Sequence, residues 1–274
     1  MTFNPFEIRV LIRGGGEMAS GIAHRLRQCQ MQVLITEVAE PTAVRRMVAF
    51  AEAVYRGCQT IEGVTSVRVA TVAETLAELR RGTIPLVIDA EAKIRHQVHP
   101  SVIVDATMAK TGGDTRLTDA SLVIGVGPGF TVGENAHAVV ESNRGYHLGR
   151  VIWQGSAEPD TGVPAPVAGH TEARVLRAPR RGRFHALRAI GDRVQAGEMV
   201  GEVDGAPVHC AIAGVVRGML QDGIQIGAGI KVGDVDPRWE RGYCDTISDK
   251  ARAIGGGVVE AIFHSYQRLK NPAT

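Results

Sequence analysis

Three consecutive glycines and the acid that follows them are the residues of this chain best suited by type and spacing to hold a ligand. The run Arg13-Gly-Gly-Gly-Glu-Met-Ala-Ser-Gly21 follows an apolar stretch, Ile8–Ile12, and precedes Ile22, Leu26 and Cys29 at helical spacing. Strand, glycine turn and helix in that order make an anion cradle: N–H groups at the helix start point at the charge, and the missing Cβ lets it approach. Gly14-x-Gly16-x-x-Ala19 fits the dinucleotide fingerprint, with Ala in the tolerated last place. Gly14 permits the tight turn and Gly16 the close approach. The next strand-like stretch, Gln32–Glu37, ends in an acid 21 residues after Gly16, about where a ribose hydroxyl is gripped. Gly14, Gly15, Gly16, Glu17, Ala19, Gly21 and Glu37 are therefore candidate cofactor-binding residues. The alternative is a turn that only packs helix on strand, with Glu37 a solvated strand end.

A second set comes from strand ends. Pro85–Asp89, Val102–Asp105 and Ser121–Gly127 are continuous apolar runs, as expected of parallel strands buried on both faces. Each ends in Asp or Gly, and ligands of open α/β sheets lie outside those carboxyl ends. Asp89, Asp105, Lys110, Gly125, Gly127 and Gly129 are candidates by position, and Gly125–Phe130 offers N–H groups for an anion nest. His137 and Glu141 fall on one strand face, a spacing that favours a structural pair over a metal site. Arg144 with Lys110 could hold a phosphate. No residue is assigned a catalytic role, because no arrangement suited to proton transfer stands out. Cys244 precedes a helix whose dipole would favour its thiolate, but Asp245 beside it opposes this, and a plain cysteine is the better reading.

These residues need a scaffold. A helix opened by Pro41 and running to about Tyr55 is expected, then a strand at Val67–Ala70 and a capping box at Thr71–Glu74. Pro and Gly crowd residues 155–166, the expected domain junction. Beyond it a phrase is written twice: Gly191–Asp204 returns as Gly223–Asp236, with seven of fourteen positions identical. Such a repeat reads as two quasi-equivalent halves of a small β-unit. Its Gly-Asp-x-Val-x-x-Gly phrase resembles the lipoyl/biotinyl barrel-sandwich hybrid. In that fold a Lys within Glu-x-Asp-Lys-Ala bears the prosthetic group. Here Gly205 stands in that place, so no covalent biotin or lipoate is expected. Ile254, Val258, Ile262, Tyr266 and Leu269 make an apolar helical stripe, and Gly255–Gly257 within it imply close backbone packing. The expected architecture is α/β: a Rossmann-like parallel-sheet domain (1–154), a barrel-sandwich hybrid (164–236) and a C-terminal helical segment (237–274).

Composition narrows the partners. The 274 residues carry 44% hydrophobic and 22% charged side chains with net charge +2, which suits a folded globular chain and gives no reason for nucleic acid. The four cysteines form no C-x-x-C pair, and no signal peptide or membrane-spanning stretch is apparent, so a cytoplasmic setting is expected.

Several separated motifs carry a wider resemblance: Asp119–Gly133, His137–Gly145, Leu148–Ile152, Lys231–Arg238 and Ile247–Ala251, together with the glycine-rich start. With these the chain resembles the YqeB family of selenium-dependent molybdenum hydroxylase accessory proteins, whose N-terminal domain is similar to XdhC-type xanthine dehydrogenase maturation factors. The resemblance implies a maturation role toward a molybdenum hydroxylase client, handling the molybdenum cofactor or a related nucleotide-like anionic ligand. The residues themselves leave an NAD(P)-dependent oxidoreductase and a non-catalytic adaptor open, and homo-oligomerisation undecided.

Overall fold

The computed structural model describes residue 4, residues 7–109 and residues 113–266, which fall into two compact units. The first comprises Met1–Pro41, Ala49–Asp160 and Ile247–Thr274; the second comprises Thr42–Val48 and Thr161–Thr246.

In the first unit the chain runs β1 (Arg9–Arg13), α1 (Glu17–Gln28), β2 (Gln32–Glu37), α2 (Ala53–Arg56), β3 (Cys58–Ile61), β4 (Val64–Val69), α3 (Val72–Arg81), β5 (Ile84–Ile88), α4 (Arg95–Val98), β6 (Val102–Asp105), β7 (Leu122–Val126), β8 (Ala138–Val140) and β9 (Val151–Ile152). The nine strands form one sheet in the order β3-β4-β5-β2-β1-β6-β7-β8-β9. Its middle, from β4 to β8, is parallel, whereas β3 and β9 run antiparallel to their neighbours. The expectation of a parallel, Rossmann-like domain is corrected to a large mixed sheet. At one edge the cause is local: Glu62 and Gly63 both have positive φ (44° and 82°), and a two-residue turn of that kind closes a hairpin.

The helix expected from Pro41 to Tyr55 shrinks to α2, because its backbone is spent elsewhere. Val44 accepts the Met219 N–H at 2.9 Å, and Arg46 Nε donates to the Met219 carbonyl, so 42–48 belongs to the second unit. Ala51 N–H instead reaches Gly15 O at 2.8 Å. The capping box forms as expected: Thr71 accepts from Glu74 N–H, and Glu74 returns to Ala70 and Thr71 N–H.

The last helix, α5 (Asp249–His264), is part of the first unit rather than a separate segment. Ser248 caps it, and its glycines allow the close packing expected of them. A Cβ at Gly21 would stand 2.7 Å from that of Ala251, and one at Gly255 would stand 3.1 Å from the Gly21 carbonyl. Gly257 meets Gly149 so closely that any side chain there would overlap it.

The second unit carries β10 (Val175–Arg177), β11 (Gly182–Ala186), β12 (Arg193–Val194), β13 (Met199–Val203), β14 (Ala206–His209), β15 (Gly214–Met219), β16 (Gln225–Ile226) and β17 (Lys231–Asp236). They make two four-stranded sheets, β10-β17-β15-β12 and β14-β13-β11-β16, whose described pairings are antiparallel. Exchanging β10 with β14, β11 with β15, β12 with β16 and β13 with β17 turns one order into the other, which is the sequence repeat expressed as topology. The lipoyl-type hybrid read from 164–236 is corrected to this pair of sheets. The unit is not a self-standing carrier module, since it also incorporates 42–48 and the stretch to Thr246.

Val200, Val203, Val232 and Val235, repeat positions, pack with Phe184 and Val216 in its core. Beside that core lie two buried carboxylates. Asp234 meets Arg174, Arg217 and Lys231, and Asp236 meets Arg217 and Arg238. Burial alone would raise both carboxyls, but these cations hold each below its ordinary value. A carboxyl depressed on folding contributes stability above its unfolded pKa and loses it as pH falls through the folded value. Arg217→Leu, which strips a shared partner, should cost about 3–5 kcal/mol and move acid unfolding to higher pH. Denaturant melts across pH 2–7 (roughly the span over which carboxyls titrate) check this; an unmoved acid limb would contradict it.

Candidate functional site

The parallel strands of the first unit deliver their C-terminal ends to one edge of the sheet, and the glycine turn sits in the middle of that edge. Gly14, at φ +89°, donates to Thr36 O, and a Cβ on it would press on Ala106 O at 3.3 Å. Gly15 is covered: its carbonyl takes the Ala51 N–H, and a Cβ would lie 2.9 Å from that nitrogen. Gly16 is the N-cap of α1. It offers no side-chain cap, and nothing lies within 4 Å of where its Cβ would be. Ala19 and Gly21 are buried in α1, the former in the core and the latter against α5. Glu17 is half-buried in the first turn.

Glu37 does something other than grip a ribose. Its carboxylate accepts the Gly15 N–H at 2.6 Å and the Val38 N–H at 2.7 Å. Burial pushes its pKa up, against the pull of those two donors. The acid thus closes the glycine turn from within.

The strand-end aspartates are likewise spent on structure. Asp89 accepts the Ile94 N–H at 2.8 Å. Asp105, 1% exposed, accepts from Thr107 and Thr115 and pairs with Arg13 at 3.4 Å, and Arg13 continues to Asp114 at 2.6 Å. Lys110 lies outside the described residues. The Gly125–Phe130 segment does not form an open nest. A Cβ at Gly125 would overlap the Phe130 ring, one at Gly127 would overlap Ser142, and the Gly127 N–H is taken by Val140 O. Gly129, at φ +96°, turns its carbonyl to Asn135.

His137 and Glu141 do not meet as a pair. His137 Nδ1 accepts the Val123 N–H, and Glu141 accepts those of Asn143 and Glu158. Among the described residues no group of three His, Cys, Asp or Glu side chains is placed to hold a metal. Arg144 forms a two-bond pair with Asp249 at 2.6 and 2.7 Å. Cys244, 1% exposed, has its thiol pushed up by burial, which leaves it a packed side chain rather than a nucleophile.

Sequence reasoning passed over Lys250. It stands in the first turn of α5, where the helix dipole disfavours a cation. Burial pulls its ammonium below the ordinary value and nearby Arg144 adds to this, while Glu17, Glu141 and Asp160 oppose it. The signal was available: a lysine directly after a Ser-Asp helix start is in the wrong place for stability. Glu17, in the first turn of α1, is among the acids that favour the Lys250 charge, so the first turns of α1 and α5 are electrostatically linked.

No protein-family model matches the chain. It is 44% identical over 253 residues to a protein of Escherichia coli strain K12 described as "Uncharacterized protein YqeB"; the match covers 92% of this chain and 47% of that one. The chain therefore spans about half the length of the curated relative it matches. Solved structures returned as similar include an aspartoacylase family protein of Mesorhizobium loti (11% identity, 83% and 84% of the two chains, TM-score 0.26). The product-bound ectoine utilization protein EutE (DoeB) of Ruegeria pomeroyi is another (13%, 85% and 86%, 0.25). A third is a succinylglutamate desuccinylase/aspartoacylase of Rhodobacter sphaeroides (17%, 83% and 85%, 0.25). At those scores none supports an argument about this chain. These findings correct the expectation of an XdhC-like accessory factor: the relative that is 44% identical is described without any such role. The molybdenum, selenium and xanthine dehydrogenase connections fall with it.

Two outcomes are expected. Glu37→Ala leaves the Gly15 N–H without its acceptor and should cost about 1–3 kcal/mol in urea melts, whether or not ligand is present. An unchanged midpoint would show that the carboxylate does not hold the turn. Lys250 has a folded pKa below its ordinary 10.5, so the unfolded chain binds more protons between the two values, and stability rises with pH across that window. Lys250→Met should remove that rise without lowering the melting temperature at neutral pH. A marked loss of stability would mean that the ammonium is a structural partner.

Proposed function

We propose that this chain binds a small anionic molecule, with a phosphate or nucleotide head over the start of α1, and serves as a binding or handling protein. Gly16 carries this reading. A glycine N-cap without a side-chain cap heads a 12-residue helix, and the space above it is open. The first N–H groups of a helix have no partner within it, and an anion placed there gains about 0.3–1 kcal/mol from the dipole, more where partly buried. Lys250 supports the same reading, because an anion would favour its charged form against the cost of burial. A dehydrogenase is less well supported, since Glu37 is turned onto Gly15 and cannot grip a ribose without opening the turn.

The geometry makes the test selective. Gly16 has φ −67° and ψ −178°, extended backbone that any residue adopts. Gly16→Val should therefore fold with an unchanged melting temperature and yet fill the space an anion needs. Calorimetric titration with adenosine monophosphate and inorganic phosphate should show binding to the wild type and a loss of at least about tenfold in Gly16→Val. Equal affinity in both proteins, or no binding of either probe at about 10 mM, would overturn the proposal.

A further inference from the structure

A pocket in the first unit, of about 470 Å³, is lined by residues that follow β8, among them Glu141, His147, Arg150, Trp153 and Glu158. That volume is within the range of small-molecule sites. Its two carboxylates are already committed. Glu141 takes two backbone N–H groups, while Glu158 takes the Asn143 amide at 2.6 Å and His147 Nδ1 at 3.0 Å. Those same two partners hold the Glu158 carboxyl below its ordinary value, so it is ionised at neutral pH. An ionised carboxylate only accepts, which puts the proton of the neutral ring on Nδ1 and leaves Nε2 an oriented acceptor.

The uncommitted groups on the pocket wall are different in kind. Arg150 is exposed, with no side-chain partner among the described residues. Trp153 keeps 39% of its surface exposed, and its indole is steadied by His264, whose ring centroid lies 4.2 Å away. A guanidinium matches a carboxylate through two parallel hydrogen bonds, an indole offers a flat apolar face, and His147 Nε2 takes an N–H or O–H. We infer that this pocket is a binding site for a planar carboxylate that carries a hydrogen-bond donor, with Arg150, Trp153 and His147 as its three points of recognition. The inference does not rest on the phosphate site at Gly16, and neither Gly16 nor Lys250 lines the pocket.

The test follows the Trp153 indole N–H by nitrogen-15 NMR, assigned with Trp153→Phe, during titration with 4-hydroxybenzoate, 4-hydroxybenzamide and benzoate. The wild type should bind 4-hydroxybenzoate in the millimolar range or tighter, and each of the other two at least about threefold more weakly. Arg150→Gln should abolish the difference between acid and amide but keep that between 4-hydroxybenzoate and benzoate. His147→Phe should do the reverse. The mutated side chains are solvent-exposed, and a melting temperature within about 2 °C of wild type shows that the fold is kept; should either variant miss that mark, Arg150→Met and His147→Leu take their places. The inference is overturned if no probe shifts the Trp153 signal at about 10 mM, or if the acid–amide difference survives the loss of the Arg150 guanidinium.

Discussion

The close crossing of α1 and α5 is the contact on which the candidate site depends. Gly21 and Gly255 each lack the Cβ that would force the helices apart, and Ala251 fills the small space between them. Larger residues at any of these positions would have to shift backbone, not merely a flexible side chain. The crossing joins a helix from the start of the chain to one from its end. It also sets the first turn of α5 near that of α1, which brings Lys250 into the field of Glu17. A cation at a helix N-terminus and partly out of water is unfavourable twice over. Tight packing offsets that cost, and a group held in this way is a reasonable place to look for function.

Carboxylates are used here chiefly as internal fasteners. Glu37 closes the glycine turn, Asp105 gathers Thr107, Thr115 and Arg13, and Glu141 ties together the chain on either side of β9. Each satisfies backbone or side-chain donors that would otherwise be buried unpaired, which costs more than a hydrogen bond returns. The N-terminus of α1, headed by Gly16, has no side-chain cap of this kind. In the second unit the same economy takes ionic form, with Asp234 and Asp236 held among four basic side chains. Losing one partner would leave charge stranded in a medium that solvates it poorly.

Much of this was legible in local pattern. The turn at Gly14–Gly16, the capping box at Thr71–Glu74, the apolar strands and the twice-written phrase of the second unit all depend on neighbours in sequence, and they form where expected. The reasons are steric or periodic: positive φ at Gly14, a side chain three residues from its N–H, alternating burial in a strand. Glu37 shows the limit of such reasoning. Its position at the end of β2 was evident, but whether it faces a ligand or the turn is decided by where Gly15 points its N–H.

By itself the sequence determined which stretches could be strands, turns and helices, and that the chain carries an internally repeated β-unit. Tertiary structure alone decided the mixed sense of the large sheet, the assignment of 42–48 to the second unit and of α5 to the first, and the neighbours of Lys250. It also decided that Gly125 is filled by Phe130 while Gly16 stays open. These outcomes turn on contacts between residues far apart in the chain, whose donors, acceptors and volumes compete for the same partners. Local propensity is silent about which competitor wins, because the deciding energy comes from groups brought together only by folding.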